Sequence, residues 1–200
     1  MKSYYIHALL ACALLLALTG GEARGQSIKT NVPLLLMGSP NIGAEVTLTR
    51  QLTLDAEALW MPYMFKKHEE VFRAATGSIE CRYHVSPSHY YTNDSWDGFY
   101  VGPYALYGQF NIGLFRHGDK DQSVRRKGWG VSGGLSTGYK FYLSPRFKID
   151  INLGLGYAHL QYNKYKLGGE YAGFPMEQKA TKAWFGPTKF GVYLVYNIFR

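Results

Sequence analysis

Hydrophobic and polar residues alternate along most of the chain beyond its first two dozen positions. Phe147, Ile149, Ile151, Leu153, Leu155 and Tyr157 interleave with Lys148, Asp150, Asn152, Gly154 and Gly156. Trp129, Val131, Leu135, Thr137, Tyr139 and Phe141 interleave with Gly130, Ser132, Gly134, Ser136, Gly138 and Lys140. The same rhythm runs through 42–48, 52–60 and 190–198. A period of two puts each set on one face of a strand. Eight strands are predicted, over 28–37, 42–50, 51–64, 71–85, 98–113, 127–142, 147–163 and 184–199. For the fourth, 66–75 also fits the start of a short helix. Strands of soluble proteins run about 5–6 residues, whereas crossing a membrane takes about 9–11. Several of the predicted strands are long enough to cross.

The connections sharpen this. Arg50-Gln51 and 143–146 read as tight turns, and the stretches after Met64, Gly113 and Tyr162 as longer loops. Short turns at one end and long loops at the other mark outer-membrane barrels, with the short turns periplasmic. Two connections depart from the pattern: 38–41 makes a very short outer loop and 86–97 a long periplasmic one. In lipid the backbone must satisfy its own hydrogen bonds, so only helices and closed barrels span. No stretch beyond the first apolar run suits a membrane helix. The expected fold is all-β, an eight-stranded antiparallel transmembrane β-barrel of the outer-membrane type over 26–200.

The N-terminus reads as a secretory signal peptide over 1–25, and so predicts export to the cell outer membrane. Lys2 precedes the apolar run 8–18, and the small-residue site Ala23-Arg24-Gly25 follows. That run is too short for a spanning helix of about 20 residues. Leu9-Leu10-Ala11-Cys12 has the form of a lipoprotein box but sits inside the run, not at its end. Cleavage removes Cys12 and leaves Cys81 alone, read as a small buried hydrophobe. Two cysteines exclude a disulfide scaffold and a multi-cysteine zinc site.

Composition then changes the picture in one respect. Charged residues make up 18% and aromatics 16% of the chain, against a net charge of +8. If the apolar residues face lipid, the lumen receives Glu45, Asp55, Glu57, Glu80 and Asp150 together with Lys29, Arg82, Lys140, Lys148 and Lys189. Five acids meet five bases. Buried charges need partners, and eight strands leave room for side chains but no wide pore. The set reads as an ionic plug, with a narrow channel for small solutes as the alternative. Tyr63, Tyr83, Tyr100, Tyr142, Tyr157, Tyr196, Trp60, Trp129 and Trp184 suit interfacial girdles. The predicted outer loops hold eleven bases against six acids, most of the +7 left after signal removal. Arg125, Arg126 and Lys127 are the candidate contact with lipopolysaccharide phosphates.

Catalysis finds little footing, and the chain is read as not an enzyme, with no cofactor and no metal. His84 and His89 are poorly spaced for zinc. A lipid-modifying enzyme would need a nucleophile beside His159, whose same-face neighbours are Tyr157 and Gln161. The glycines of 130–134 and 154–156 open no helix, as a phosphate loop requires. A soluble β-barrel binder is the remaining alternative, and an exported chain leaves nucleic acid out.

Ile28-Lys29-Thr30-Asn31, Pro40-Asn41-Ile42-Gly43-Ala44-Glu45 leading into Leu52-Thr53-Leu54-Asp55, Glu80-Cys81-Arg82-Tyr83 and Gly108-Gln109-Phe110-Asn111 carry a resemblance. The chain resembles an uncharacterised (domain-of-unknown-function) family of small outer-membrane β-barrels from Bacteroidota. The resemblance implies an outer-membrane barrel in the cell envelope with no established activity, and a surface-assembly role near fimbrial proteins. Lys189-x-Gly191-x-x-Leu194-x-Tyr196 likewise resembles the C-terminal signal read by the barrel-assembly machinery, although Arg200 follows Phe199.

Overall fold

The computed structural model describes residues 26–49, 51–65, 70–85, 97–113, 124–166 and 173–198. The signal-peptide reading of 1–25 lies outside them. So do His68, His89, His117 and the loop charges Lys66, Lys67, Glu69, Arg116, Asp119, Lys120, Asp121 and Glu170.

The chain is all-β apart from one helical turn. Its elements are β1 (Gln26–Asn31), α1 (Val32–Leu36), β2 (Asn41–Thr47), β3 (Leu52–Phe65), β4 (Glu70–His84), β5 (Gly98–Gly113), β6 (Val124–Tyr142), β7 (Phe147–Lys166) and β8 (Pro175–Asn197). Each strand pairs antiparallel with the next. β8 then returns to β1, through Ser27↔Asn197 to Asn31↔Tyr193, and closes the ring. Among the described residues no helix is long and apolar enough to cross a membrane.

Two tight turns define one end of the ring. Leu48 and Thr49 donate their N–H groups to the Leu52 carbonyl at 2.9 and 3.1 Å. Leu143 and Ser144 do the same to Phe147 at 3.2 and 3.0 Å. The start of β1 at Gln26 and the end of β8 at Asn197 lie at this turn end as well. The far end is formed by the long strands alone. β1 and β2 are only 6 and 7 residues, whereas β7 and β8 are 20 and 23. The wall is therefore low on one side, and above Tyr193 the β1 side of β8 has no strand partner among the described residues.

Several predicted boundaries move. The first strand was expected over 28–37, but it stops at Asn31 and 32–36 form α1. Pro33 cannot donate to a sheet ladder and suits the first turn of a helix, and the Asn31 side chain accepts from the Leu34 N–H. Asn41 then ties the return. Its amide oxygen accepts from the Asn31 N–H at 2.5 Å and its amide nitrogen donates to the Asn31 and Ser39 carbonyls at 3.1 and 3.0 Å. The fourth segment is strand from Glu70 onward, so 70–75 are not helical. β6 begins at Val124, β7 runs to Lys166 and β8 begins at Pro175. Arg125, Arg126, Lys127, Lys164, Lys166, Lys179 and Lys182 thus lie on strands rather than in loops.

The ring is packed inside out relative to a soluble domain. Its outward positions are apolar: Ile42, Ile79, Leu135, Leu153, Leu155 and Phe190 are among those that are 42–66% exposed. Its inward positions carry the charge. Arg82, Asp55 and Asp150 are each 0% exposed.

Candidate functional site

The charged interior is built by strand phase. On β4, Glu80 and Arg82 share the inward face. On β7 it is Lys148, Asp150 and Asn152, and on β8 Lys189, Tyr193 and Val195. Nine of the ten predicted interior residues are buried; the tenth, Glu57, is half-buried. All but Lys148 and Glu57 join one cluster in the turn-end half of the ring.

Arg82 is its hub. One guanidinium nitrogen, Nη1, lies 2.8 Å from Glu45 Oε2 and 3.0 Å from Asp150 Oδ2. The other, Nη2, lies 3.1 Å from Glu80 Oε2 and 3.5 Å from Asp55 Oδ1. The face of the guanidinium rests 4.5 Å from the Tyr100 ring centre. Each carboxylate then has a second donor. Lys29 holds Asp55 at 2.8 Å, Lys140 holds Glu45, and Lys189 holds Glu80 at 2.5 Å. Asp150 accepts from the Tyr100 hydroxyl at 2.7 Å. Ser136 donates to Glu80 Oε1 at 2.5 Å, and Asn152 bridges Glu80 and Tyr100 at 3.3 and 3.0 Å. Cations and anions alternate through the cluster, which is how buried charges escape the cost of lost water.

Two extensions complete it. Lys148 pairs with Asp97 nearer the turn end. Tyr193 donates to Glu57 at 2.8 Å while its ring lies 4.1 Å from the Lys29 ammonium. Asp97, Ser136, Asn152 and Tyr193 join the interior network although they were not among its ten predicted charged members. Ser136, Asn152 and Tyr193 stand in the phase of the predicted interior lysines Lys140, Lys148 and Lys189, whereas Asp97 lies just before β5.

The predicted aromatic girdles are corrected in part. Tyr100 is fully buried at the hub, not at an interface. Tyr63 and Tyr142 also take the inward phase of their strands. The Tyr63 hydroxyl meets Ser39 Oγ at 2.6 Å and donates to the Met37 carbonyl, which pins the segment after α1. Trp184 shares a register row with the buried Ala158. Trp60, Trp129, Tyr83 and Tyr157 do face outward, 38–56% exposed.

The three candidate anion-binding residues are split by strand phase. Arg126 takes the inward phase, and Arg125 and Lys127 take the outward one. On the outer face they meet a residue the sequence did not single out. Arg73 of β4 stands opposite Asn111 of β5, which stands opposite Lys127, and Arg125 Nε donates to Asn111 Oδ1 at 2.7 Å. Beneath this row lie Trp60 and Trp129. Trp60, Arg73, Asn111 and Lys127 help to line a surface cleft of ≈ 200 Å³.

A hydrolytic arrangement can be tested against the geometry. Thr53 Oγ1 lies 3.1 Å from His84 Nε2, and Glu45 lies 3.9 Å from that same nitrogen. A nucleophile relay needs the acid on the opposite ring nitrogen, and Thr53 is only 1% exposed. His159 stands opposite Val131 on one side and Ala183 on the other, neither a nucleophile. Among the described residues no group of three or more His, Cys, Asp or Glu side chains is arranged to hold a metal ion.

A family model described as a protein of unknown function (DUF3575) matches residues 8–198. The chain belongs to that family. No curated protein and no solved structure matches it. Membership in DUF3575 brings no activity with it, so the function of this chain has to be argued from its ring and its charged interior.

Proposed function

We propose that this DUF3575 chain is an outer-membrane β-barrel with a structural or surface-interaction role, its lumen closed by the Arg82 cluster. The observation that carries the reading is the inverted packing. Charged side chains fill the interior, and large apolar side chains cover the outside, where water would penalise them. A lipid environment removes that penalty, and ring closure satisfies the strand edges there. The apolar outer face of β7 runs from Phe147 to Tyr157 and then turns polar at His159. That is about the length a tilted strand needs to cross the hydrocarbon. The full chain is expected to stay with carbonate-washed membranes and to migrate faster on a gel unboiled than boiled. It is expected to give no steady conductance in planar bilayers. Release into the aqueous phase overturns the membrane reading, and ohmic conductance replaces the plug with a narrow channel.

The outward row Arg73, Arg125 and Lys127, just beyond Trp60 and Trp129, is the part of this reading that meets the surface. Guanidinium groups suit phosphate, and the aromatic residues set the row at headgroup height. Binding to lipopolysaccharide should weaken when Arg125 and Lys127 are both replaced by Gln, by up to about fivefold per contact removed. Arg126→Gln alone should leave it unchanged, because that side chain takes the inward phase. Titration of purified protein with lipopolysaccharide measures this, and equal affinity of the double variant and the wild type refutes the contact.

A further inference from the structure

The cleft on the outer face lacks the charge balance of the interior. Inside, Lys29, Lys140 and Lys189 are each held by an acid. Outside, Arg73 and Lys127 flank Asn111 in one register row, and all three edge the cleft of ≈ 200 Å³. Among the described residues no acid lines it. The edge offers donors instead: a guanidinium, an amide and an ammonium. Arg125 already occupies Asn111 Oδ1, so the amide N–H pair is what Asn111 has left to give. Neighbouring strands lie about 4.8 Å apart, so Arg73 and Lys127 stand two such spacings from each other. Their side chains are long enough to meet on one anion seated over the shorter Asn111, and charge-assisted donors of this kind suit phosphate.

The row beneath shapes the cleft. It runs Trp60↔Ala75↔Gln109. Ala75 is small and exposed, and a larger side chain stands on each side of it, an indole and an amide. An aromatic wall facing an amide wall across a small floor suits a sugar ring, whose C–H face packs on the indole and whose hydroxyls bond the amide. The room is that of one ring, not of a long headgroup. Toward the turn end the next outward pair is Ala58↔Gly77, so chains attached to the ring would run from there along the apolar outer face.

We propose that the cleft seats one phosphorylated sugar of the acylated anchor of lipopolysaccharide, its phosphate on Arg73, Asn111 and Lys127 and its ring between Trp60 and Gln109 over Ala75. The proposal rests on the outer-membrane reading above and deepens it, from a basic row that meets lipopolysaccharide to one shaped site for one molecule per chain. A phosphoglycerolipid shares the phosphate but brings no ring for the indole and amide walls.

Full-length protein in detergent is titrated with three probes: the phosphorylated lipid anchor of lipopolysaccharide, the same anchor with its phosphates removed, and phosphatidylglycerol. Tryptophan fluorescence follows binding, and gel mobility before boiling is recorded for every sample. The wild type should bind the phosphorylated anchor saturably, one per chain. Removing the phosphates should weaken binding by roughly three- to twentyfold, the yield of two solvated charge contacts. Phosphatidylglycerol should bind at least about threefold more weakly than the phosphorylated anchor. Ala75→Phe fills the cleft and leaves every charge in place. It should weaken binding of the phosphorylated anchor by about tenfold and leave phosphatidylglycerol unchanged. Ala75→Leu replaces it if the Phe variant loses its unboiled mobility. Unchanged affinity of the Ala75 variant for the anchor overturns the proposal, and so does phosphatidylglycerol bound as tightly as the anchor. In either case the basic-row reading stands as long as replacing Arg125 and Lys127 by Gln still weakens binding to lipopolysaccharide. Equal binding by that double variant takes down the basic-row reading and the proposal with it.

Discussion

Replacing Arg82 by Met is expected to destabilise the folded ring by about 3–5 kcal/mol, the range for removing one partner of a buried ion cluster. The side chain is 0% exposed and lies within 3.5 Å of Glu45, Asp55, Glu80 and Asp150. Met fills much of the volume but returns no charge. Four carboxylates then share Lys29, Lys140 and Lys189, and Asp150 keeps only its bond from Tyr100. Arg82→Lys should recover only part of the loss. One ammonium cannot reproduce the fork that places Nη1 on Glu45 and Asp150 and Nη2 on Glu80. Arg82→Met combined with Asp150→Asn should also recover part, because it restores the balance of charge while Asn can still accept from Tyr100. Urea midpoints of the form that migrates fast without boiling would rank the variants. A change below about 1 kcal/mol for Arg82→Met, the scale of a solvated pair, would mean that water reaches the cluster and that it is no plug.

The strands were legible where the two faces contrast. On β7 the apolar series from Phe147 to Tyr157 alternates with Lys148, Asp150 and Asn152, so phase, face and interior residues followed from the residues alone. Legibility failed where contrast fails. On β5 both faces carry aromatics, with Phe99 and Tyr107 outside and Tyr100 and Tyr104 inside. Nothing local tells Tyr100 which way to point; its place is decided by Arg82 and Asp150, which arrive from β4 and β7. Strand ends failed for a related reason. Beyond the apolar band, 124–127 and 175–183 show no apolar–polar contrast between their faces, and their pairing comes from continuation of the ladder rather than from burial. That is why Arg125, Arg126 and Lys127 read as a loop triplet and turned out to face two ways. α1 had a usable signal that the alternation masked, since Asn31 followed by Pro33 is helix-start chemistry. The membership of the ionic cluster was visible, but not which base meets which acid. That depends on inter-strand register, which brings Glu45 of β2 and Asp150 of β7 onto one guanidinium.

The glycines beside the cluster lead to the other large effect. Gly102→Ala is expected to cost about 3 kcal/mol or more, at the top of the range for overpacking. A Cβ there would stand 1.8 Å from the Cys81 carbonyl oxygen and 3.1 Å from Arg82 Cα. These are backbone atoms of the neighbouring strand, so no rotamer change relieves the clash, and β4 must separate from β5. The ladder is interrupted at this point: it pairs Glu80↔Tyr104 and Tyr83↔Val101 and makes no pair between them, where Pro103 has no N–H to donate. Separation at this point moves Arg82 relative to Glu45 and Asp150, so the steric loss carries an electrostatic one with it. Gly133→Ala supplies the control on the next strand. Its nearest atom would be the Tyr104 carbonyl oxygen at 3.5 Å, ordinary contact, and the position faces outward. That variant should unfold within about 1 kcal/mol of the wild type, since relief of glycine's backbone entropy offsets any small packing cost. Equal urea midpoints for the two alanine variants would show that β4 and β5 can part at Gly102 without disturbing the charges, and that the glycine is not what holds the hub in register.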